Sequence, residues 1–120
     1  MIIKSVERNH TLCAVIDSEQ IVIKDAQSAL DLLVTAYYEA GTRNIVMNKK
    51  LITEDFFILS TGLAGEILQK FINYAGRVAI FGDFSHYTSK PLKDFIYESN
   101  RGKDVFFVAT EADAVAKLTR

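Results

Sequence analysis

Gly76-Arg77-Val78-Ala79-Ile80-Phe81 is the stretch on which the reading of the fold turns. A helical pattern stops at the glycine, a basic residue follows, and an apolar strand begins without polar alternation. The same unit occurs at Gly41-Thr42-Arg43 before Ile45-Val46-Met47, and at Gly102-Lys103 before Val105-Phe106-Phe107-Val108. Strands that read as continuous apolar runs are covered on both faces, as parallel strands between helices are. Crossovers between parallel neighbours are right-handed almost without exception, so units of this kind predict one sheet.

Outward from these strands, a helix is predicted from Leu63 to Ala75, with Leu63, Ile67, Leu68, Phe71 and Ile72 inward. Another runs from Leu92 to Asn100 with Leu92, Phe95 and Ile96 inward, and Pro91 suits its first turn. Thr110-Glu111-Ala112-Asp113 resembles a capping box for a last helix carrying Ala112, Val115 and Leu118. Nearer the N-terminus, Asp25 caps a helix whose Ala26, Ala29, Leu30, Leu33, Val34 and Tyr37 share one face. Ile2 to Glu7 and Thr11 to Ile16 flank Arg8-Asn9-His10 and read as an antiparallel hairpin, asparagine tolerating a positive φ in the turn. Ile21-Val22-Ile23 offers a short extended piece. The expected architecture is one α/β domain over residues 1–120: a mixed sheet of about five strands with an antiparallel N-terminal hairpin, and about four helices.

Composition bounds the function classes. The chain has 120 residues, 49% hydrophobic and 24% charged, which fits a single globular core and argues against disorder. A net charge of −1, with no basic run longer than Lys49-Lys50, argues against binding nucleic acid or an acidic membrane through bulk charge. No apolar stretch approaches the roughly 18 residues a membrane span needs, and Met1-Ile2-Ile3-Lys4 is too short for a signal peptide. The single cysteine, Cys13, sits in a strand-like run and reads as a buried thiol. These features predict a soluble cytoplasmic protein. One cysteine and two histidines, His10 and His86, offer no metal-ligand spacing, and no glycine-rich dinucleotide or phosphate loop occurs, so neither metal nor cofactor is expected.

Candidate functional residues fall at the carboxyl ends of the parallel strands, where ligands of such sheets usually bind. The first loop runs from Asn48-Lys49-Lys50 to Ser60-Thr61-Gly62, and the second from Gly82 through Asp83, Phe84, Ser85, His86 and Tyr87 to Lys90. Ser60 and Thr61 precede a glycine at a helix start, where unpaired N–H groups accept a capping hydroxyl or an anion. Either hydroxyl is also a candidate phosphoacceptor. Gly62 and Gly65 each cost about 1 kcal/mol in a helix relative to alanine, which suggests close approach by a neighbouring strand or a partner. Asp83 either orients its loop or acts in a site, and Phe84 and Tyr87 either pack as a lid or anchor a partner. Glu54-Asp55 reads as a turn cap. Ser60, Asp83 and His86 make no convincing hydrolytic set, since His86 follows Asp83 on the same loop and no nucleophile elbow is present.

From Asn44 onward the chain resembles a STAS domain, the fold of bacterial anti-sigma factor antagonists. The likeness rests on Ile45-Val46-Met47-Asn48, Phe56-Phe57, Leu59-Ser60-Thr61-Gly62-Leu63 and Gly76-Arg77-Val78-Ala79-Ile80, with Val105 to Val108 and Glu111 to Val115 at the end. The family's phosphoacceptor hydroxyl, directly before the glycine, falls on Thr61, with Ser60 preceding it. Asn48 and Leu59 stand where that family has acids. The whole chain is similar to a bacterial family catalogued as domain of unknown function 4180, through Glu54 to Phe57, Thr61 to Phe71, Gly82 to Ser85 and Asp94 to Gly102. That likeness implies no activity.

Two functional expectations follow. The STAS resemblance implies a non-enzymatic interaction module, switched at Thr61 or Ser60, whose partner (a regulatory protein or kinase) docks on the carboxyl rim and the helix bearing Gly62 and Glu66. A second copy of the chain is also admissible as a partner. The alternative is a small-molecule or enzymatic site on the same rim, suggested by the density of Asn48, Lys49, Ser60, Thr61, Asp83, Ser85 and Tyr87.

Overall fold

A computed structural model describes all 120 residues. Strands β1 (Ile2–Arg8) and β2 (Thr11–Asp17) form the N-terminal hairpin, followed by α1 (Ala26–Ala40) and β3 (Asn44–Asn48). Next come α2 (Leu63–Asn73), β4 (Arg77–Phe81), α3 (Lys90–Asn100), β5 (Val105–Val108) and α4 (Glu111–Thr119). The sheet order is β1-β2-β3-β4-β5, antiparallel between β1 and β2 and parallel thereafter. The hairpin closes through Asn9 and His10, both at positive φ (53° and 62°), the two-residue geometry that matches strand twist. Ile23 forms a single parallel bridge with Ile52, the extended piece expected there.

The apolar runs are covered on both faces. Alternate residues Ala14, Ile45, Met47, Val78, Ile80 and Phe107 pack with α1, α2 and Leu92 of α3 in the larger core. Cys13, Val15, Val46, Ala79 and Phe106 point the other way, onto Ala114 and Leu118 of α4. Crossovers of one hand put three helices on one face and leave α4 alone on the other. Asp25 and Thr110 cap α1 and α4 as the sequence suggests, while α3 begins at Lys90, earlier than expected, with Ser89 as its cap. Asp25 accepts the Ser28 N–H at 2.8 Å while the Ser28 hydroxyl accepts the Asp25 N–H at 3.1 Å. Ser89 accepts the Leu92 N–H at 3.4 Å and Thr110 the Asp113 N–H at 3.1 Å.

Three further details of the helices differ from expectation. The buried face of α1 is Ala29, Leu32, Leu33, Ala36 and Ala40, whereas Val34 and Tyr37 are 61% and 51% exposed. Alanines bring the helix close to the sheet, and the face rotates toward them. In α2 and α4, Ile72 and Ala112 are exposed, while Ala64, Ala114 and Thr119 are buried. Gly76 does not supply the left-handed turn after α2: Ala75 does, at φ 57°. Gly76 is needed for space, since a Cβ there would lie 2.6 Å from Leu33 Cδ2.

The outer edge of β5 is closed by a side chain. Asn100, the last residue of α3, accepts the Phe107 N–H at 2.7 Å and donates to the Phe107 carbonyl at 3.1 Å. One amide thereby takes the place of a neighbouring strand. Asn100→Leu is expected to destabilise the protein by about 1–3 kcal/mol, because both Phe107 groups lose their partner in a partly buried setting. Chemical denaturation with an unchanged slope checks this, and an unaltered midpoint would count against the edge closure.

Candidate functional site

β3 ends at Asn48, and the chain then makes three short 3₁₀ turns, Lys49–Leu51, Glu54–Phe57 and Leu59–Thr61. The loop after β4 returns across them. Tyr87 donates its hydroxyl to the Glu54 carboxylate at 2.8 Å, and its ring stacks on Phe57 with centroids 5.1 Å apart. Phe57 meets Phe56 at 4.9 Å and Phe84 at 6.0 Å, and Phe84 stands edge-on to Phe107 at 5.7 Å. Such pairs contribute about 0.5–1.5 kcal/mol each beyond their buried area. Phe84 and Tyr87 are therefore a lid packed on the core.

Lys49 joins the same assembly from above. Its Nζ lies 4.9 Å from the Tyr87 ring centroid and 5.9 Å from that of Phe84. Gly82 leaves room for the lysine stem: its φ is 150°, and a Cβ there would sit 2.8 Å from Lys49 Cγ. Burial, followed by the Glu54 carboxylate that accepts its hydrogen bond, pushes the Tyr87 hydroxyl well above the ordinary tyrosine range.

The hydroxyl pair divides its work. Thr61 Oγ1 donates toward the Ile58 and Asp55 carbonyls at 2.9 and 3.0 Å and accepts the Leu63 N–H at 3.2 Å. It ties the turn to the start of α2, whose N-cap is Gly62 and not the threonine expected there. Gly62 follows in the left-handed conformation, φ 77°. Ser60 is exposed, and its hydroxyl has no partner within the chain. A groove of about 500 Å³ lies beside it, lined by Glu54, Phe57, Ile58, Leu59, Ser60, the His86–Ser89 segment, Pro91 and Leu92. Ile58, at its lip, is 50% exposed.

The remaining rim residues lie elsewhere. Asn48 Oδ1 accepts the Lys50 N–H at 2.9 Å, and Asp83 Oδ1 accepts the Ser85 N–H at 2.9 Å. The Ser85 side chain and N–H together hold the Asp83 carboxyl below its usual range, with His86 and Lys49 adding to this. Asn48 and Asp83 border a second depression of about 690 Å³ that opens toward Thr110 and Glu111. Thr61, Gly62, Glu66 and Ser85 line neither hollow, and Glu66 is exposed on α2. The polar residues of the rim are thus split between two hollows, not convergent on one. No hydrogen bond joins Ser60, Asp83 and His86; the His86 ring lies against Tyr87, centroids 4.1 Å apart. The close approach expected at Gly62 and Gly65 is absent, since a Cβ at either would meet nothing within 4 Å.

Sequence reasoning passed over Glu54, Ile58 and Pro91 as parts of this surface. A signal was present: Phe56-Phe57-Ile58-Leu59 is a run of four apolar residues in tight turns, which cannot all face inward.

The fold and rim define a small α/β domain whose most organised surface feature is an aromatic clasp between two strand-to-helix loops. Residues 8–118 match the family described as Domain of unknown function (DUF4180), and the chain belongs to it. No curated protein and no solved structure matches the chain. No helix is long and apolar enough to cross a membrane.

Two outcomes test the clasp. Gly82→Ala places a β-carbon against the Lys49 stem at a positive φ, and is expected to cost about 1–3 kcal/mol in thermal or chemical denaturation. For Tyr87, the folded state keeps a proton that the unfolded chain releases at about pH 10, so stability falls as pH rises above that value. In Tyr87→Phe that alkaline fall is expected to be smaller. Identical alkaline profiles for the two proteins would contradict the burial of the hydroxyl.

Proposed function

We propose that this protein is a non-enzymatic interaction module of STAS type that receives a protein partner in the groove between its two rim loops. The observation that carries this reading is the pairing of an apolar lip, Ile58, with an unengaged hydroxyl, Ser60, on one concave surface. Partly exposed apolar residues over an ordered floor of Phe57 and Tyr87 suit an anchoring side chain from another protein. A ligand site has less support. The strands step in one direction across the sheet, so no reversal opens a crevice of the kind that holds ligands in doubly wound folds. Asn48 and Asp83 also spend their carbonyl and carboxylate oxygens on their own loops.

Within this reading the switch is a phosphate on the Ser60-Thr61 pair, adding close to two negative charges at the groove. The free hydroxyl of Ser60 makes it the accessible acceptor, whereas phosphate on Thr61 would replace the bonds that hold the turn. The partner is a regulatory protein or a kinase, and the setting a bacterial cytoplasm.

Affinity capture from native cell extract tests the proposal. Wild type and Ser60→Ala are expected to retain one common protein that Ile58→Asp and Ser60→Asp lose by at least about tenfold, the scale of a disrupted hot spot. Retention of the same proteins by all four would remove the groove from the account.

A further inference from the structure

The face of the sheet that carries α4 has its own organised surface. α4 is held there by side chains from two other elements. Asn9, in the hairpin turn, donates to the Thr119 carbonyl at 3.2 Å, and Arg77, at the start of β4, donates to the Leu118 carbonyl at 3.1 Å. Free carbonyls at a helix end are thereby satisfied, and a cation is placed where the helix dipole favours one. Along α4 runs a groove of about 520 Å³, from Val108 and Ala109 at the carboxyl end of β5 to Arg8, Asn9 and Arg120, with Asp113 and Lys117 on its helical side.

The cations in this groove are positioned but not neutralised. Lys117 Nζ and Arg120 Cζ lie 5.8 and 5.7 Å from the Phe106 ring centroid, and both stems cover that strand residue. The only two ion pairs of the chain are on and just beyond α3, Lys90–Asp94 and Arg101–Glu98, so Arg8, Lys117 and Arg120 have no carboxylate within 4.0 Å. The one acid of the groove, Asp113, lies about two turns of helix from Arg120. With the whole chain at −1, this concentration of positive charge is local.

We propose that this groove binds an acidic peptide segment of a partner protein, with its carboxylates at the end formed by Arg8, Lys117 and Arg120. The groove offers about 10 Å between Asp113 and Arg120, matching about three extended residues. Nucleic acid fits less well. Single strands bind through aromatic faces on which bases stack, and the ring here, Phe106, is 1% exposed beneath its two cations. This surface is separate from the rim groove, and neither reading requires the other.

The test uses the full chain and fluorescein-labelled hexaglutamate, followed by fluorescence anisotropy at low and moderate salt. Saturable binding at low salt is expected, weakening several-fold as salt rises. Lys117→Gln/Arg120→Gln and, separately, Arg8→Gln are each expected to weaken it by about tenfold or more, as loss of charge-assisted contacts does. Arg8→Gln leaves Phe106 covered, so it reports on binding even if the double variant unfolds. Lys50→Gln/Lys93→Gln, removing the same charge elsewhere, is expected to bind like wild type. Absence of saturable binding at low salt, equal weakening by the remote pair, or tighter binding of an oligothymidylate of equal charge would overturn the proposal.

Discussion

A cluster of aromatic rings, most of them edge-on or tilted, joins this molecule where its helices do not. α2 and α3 barely touch, although both lie on the same face of the sheet. Phe56 and Phe57 from the first rim loop, Phe84 and Tyr87 from the second, Phe107 from β5 and Phe95 from α3 fill the space between them in one connected network. Because the rings come from four separate segments, their contacts are also what orders those segments. A loop that supplies part of the core cannot move freely, and here two of them are bound to each other.

The surface chemistry follows from that constraint. With Tyr87 on Phe57 and Lys49 laid over Gly82, the two loops present one continuous rim. The polar side chains along it are mostly consumed in building the loops: Thr61 ties a turn, Asn48 and Asp83 each bend their own backbone, and Glu54 holds Tyr87. Left without a hydrogen-bond partner in the groove are Ser60, Thr88 and His86, beside the exposed apolar Ile58.

Much of the architecture was legible in the residues. Val78-Ala79-Ile80 and its two counterparts lack alternation because each is buried on both faces, and Asp25 and Thr110 cap helices by the chemistry of their side chains. Membership of the DUF4180 family was likewise readable from the motifs. The face of α1 was less accessible. Periodicity counts Val34 and Tyr37 as apolar, but the small side chains of Ala36 and Ala40 decide how near the helix comes. The rim was hardest, since aromatic residues in turns have no period to read. Nothing in the letters Ser60-Thr61 says which hydroxyl bends inward, because carbonyls at Asp55 and Ile58 decide it. Gly76 and Gly82 mark element ends in the sequence, and only the structure shows that each makes room for a side chain distant in sequence, Leu33 and Lys49.

The central claim is that the two rim loops form one mechanical unit through Tyr87. Amide hydrogen exchange on wild type and Tyr87→Ala tests it most directly, because exchange reports opening residue by residue. Removal of the ring is expected to lower protection together at residues 54–62 and 82–89, while the hydrogen-bonded amides of β1 and β2 keep theirs. Unchanged protection across residues 54–62 in the variant would show that the first loop stands without the second, and would contradict the account.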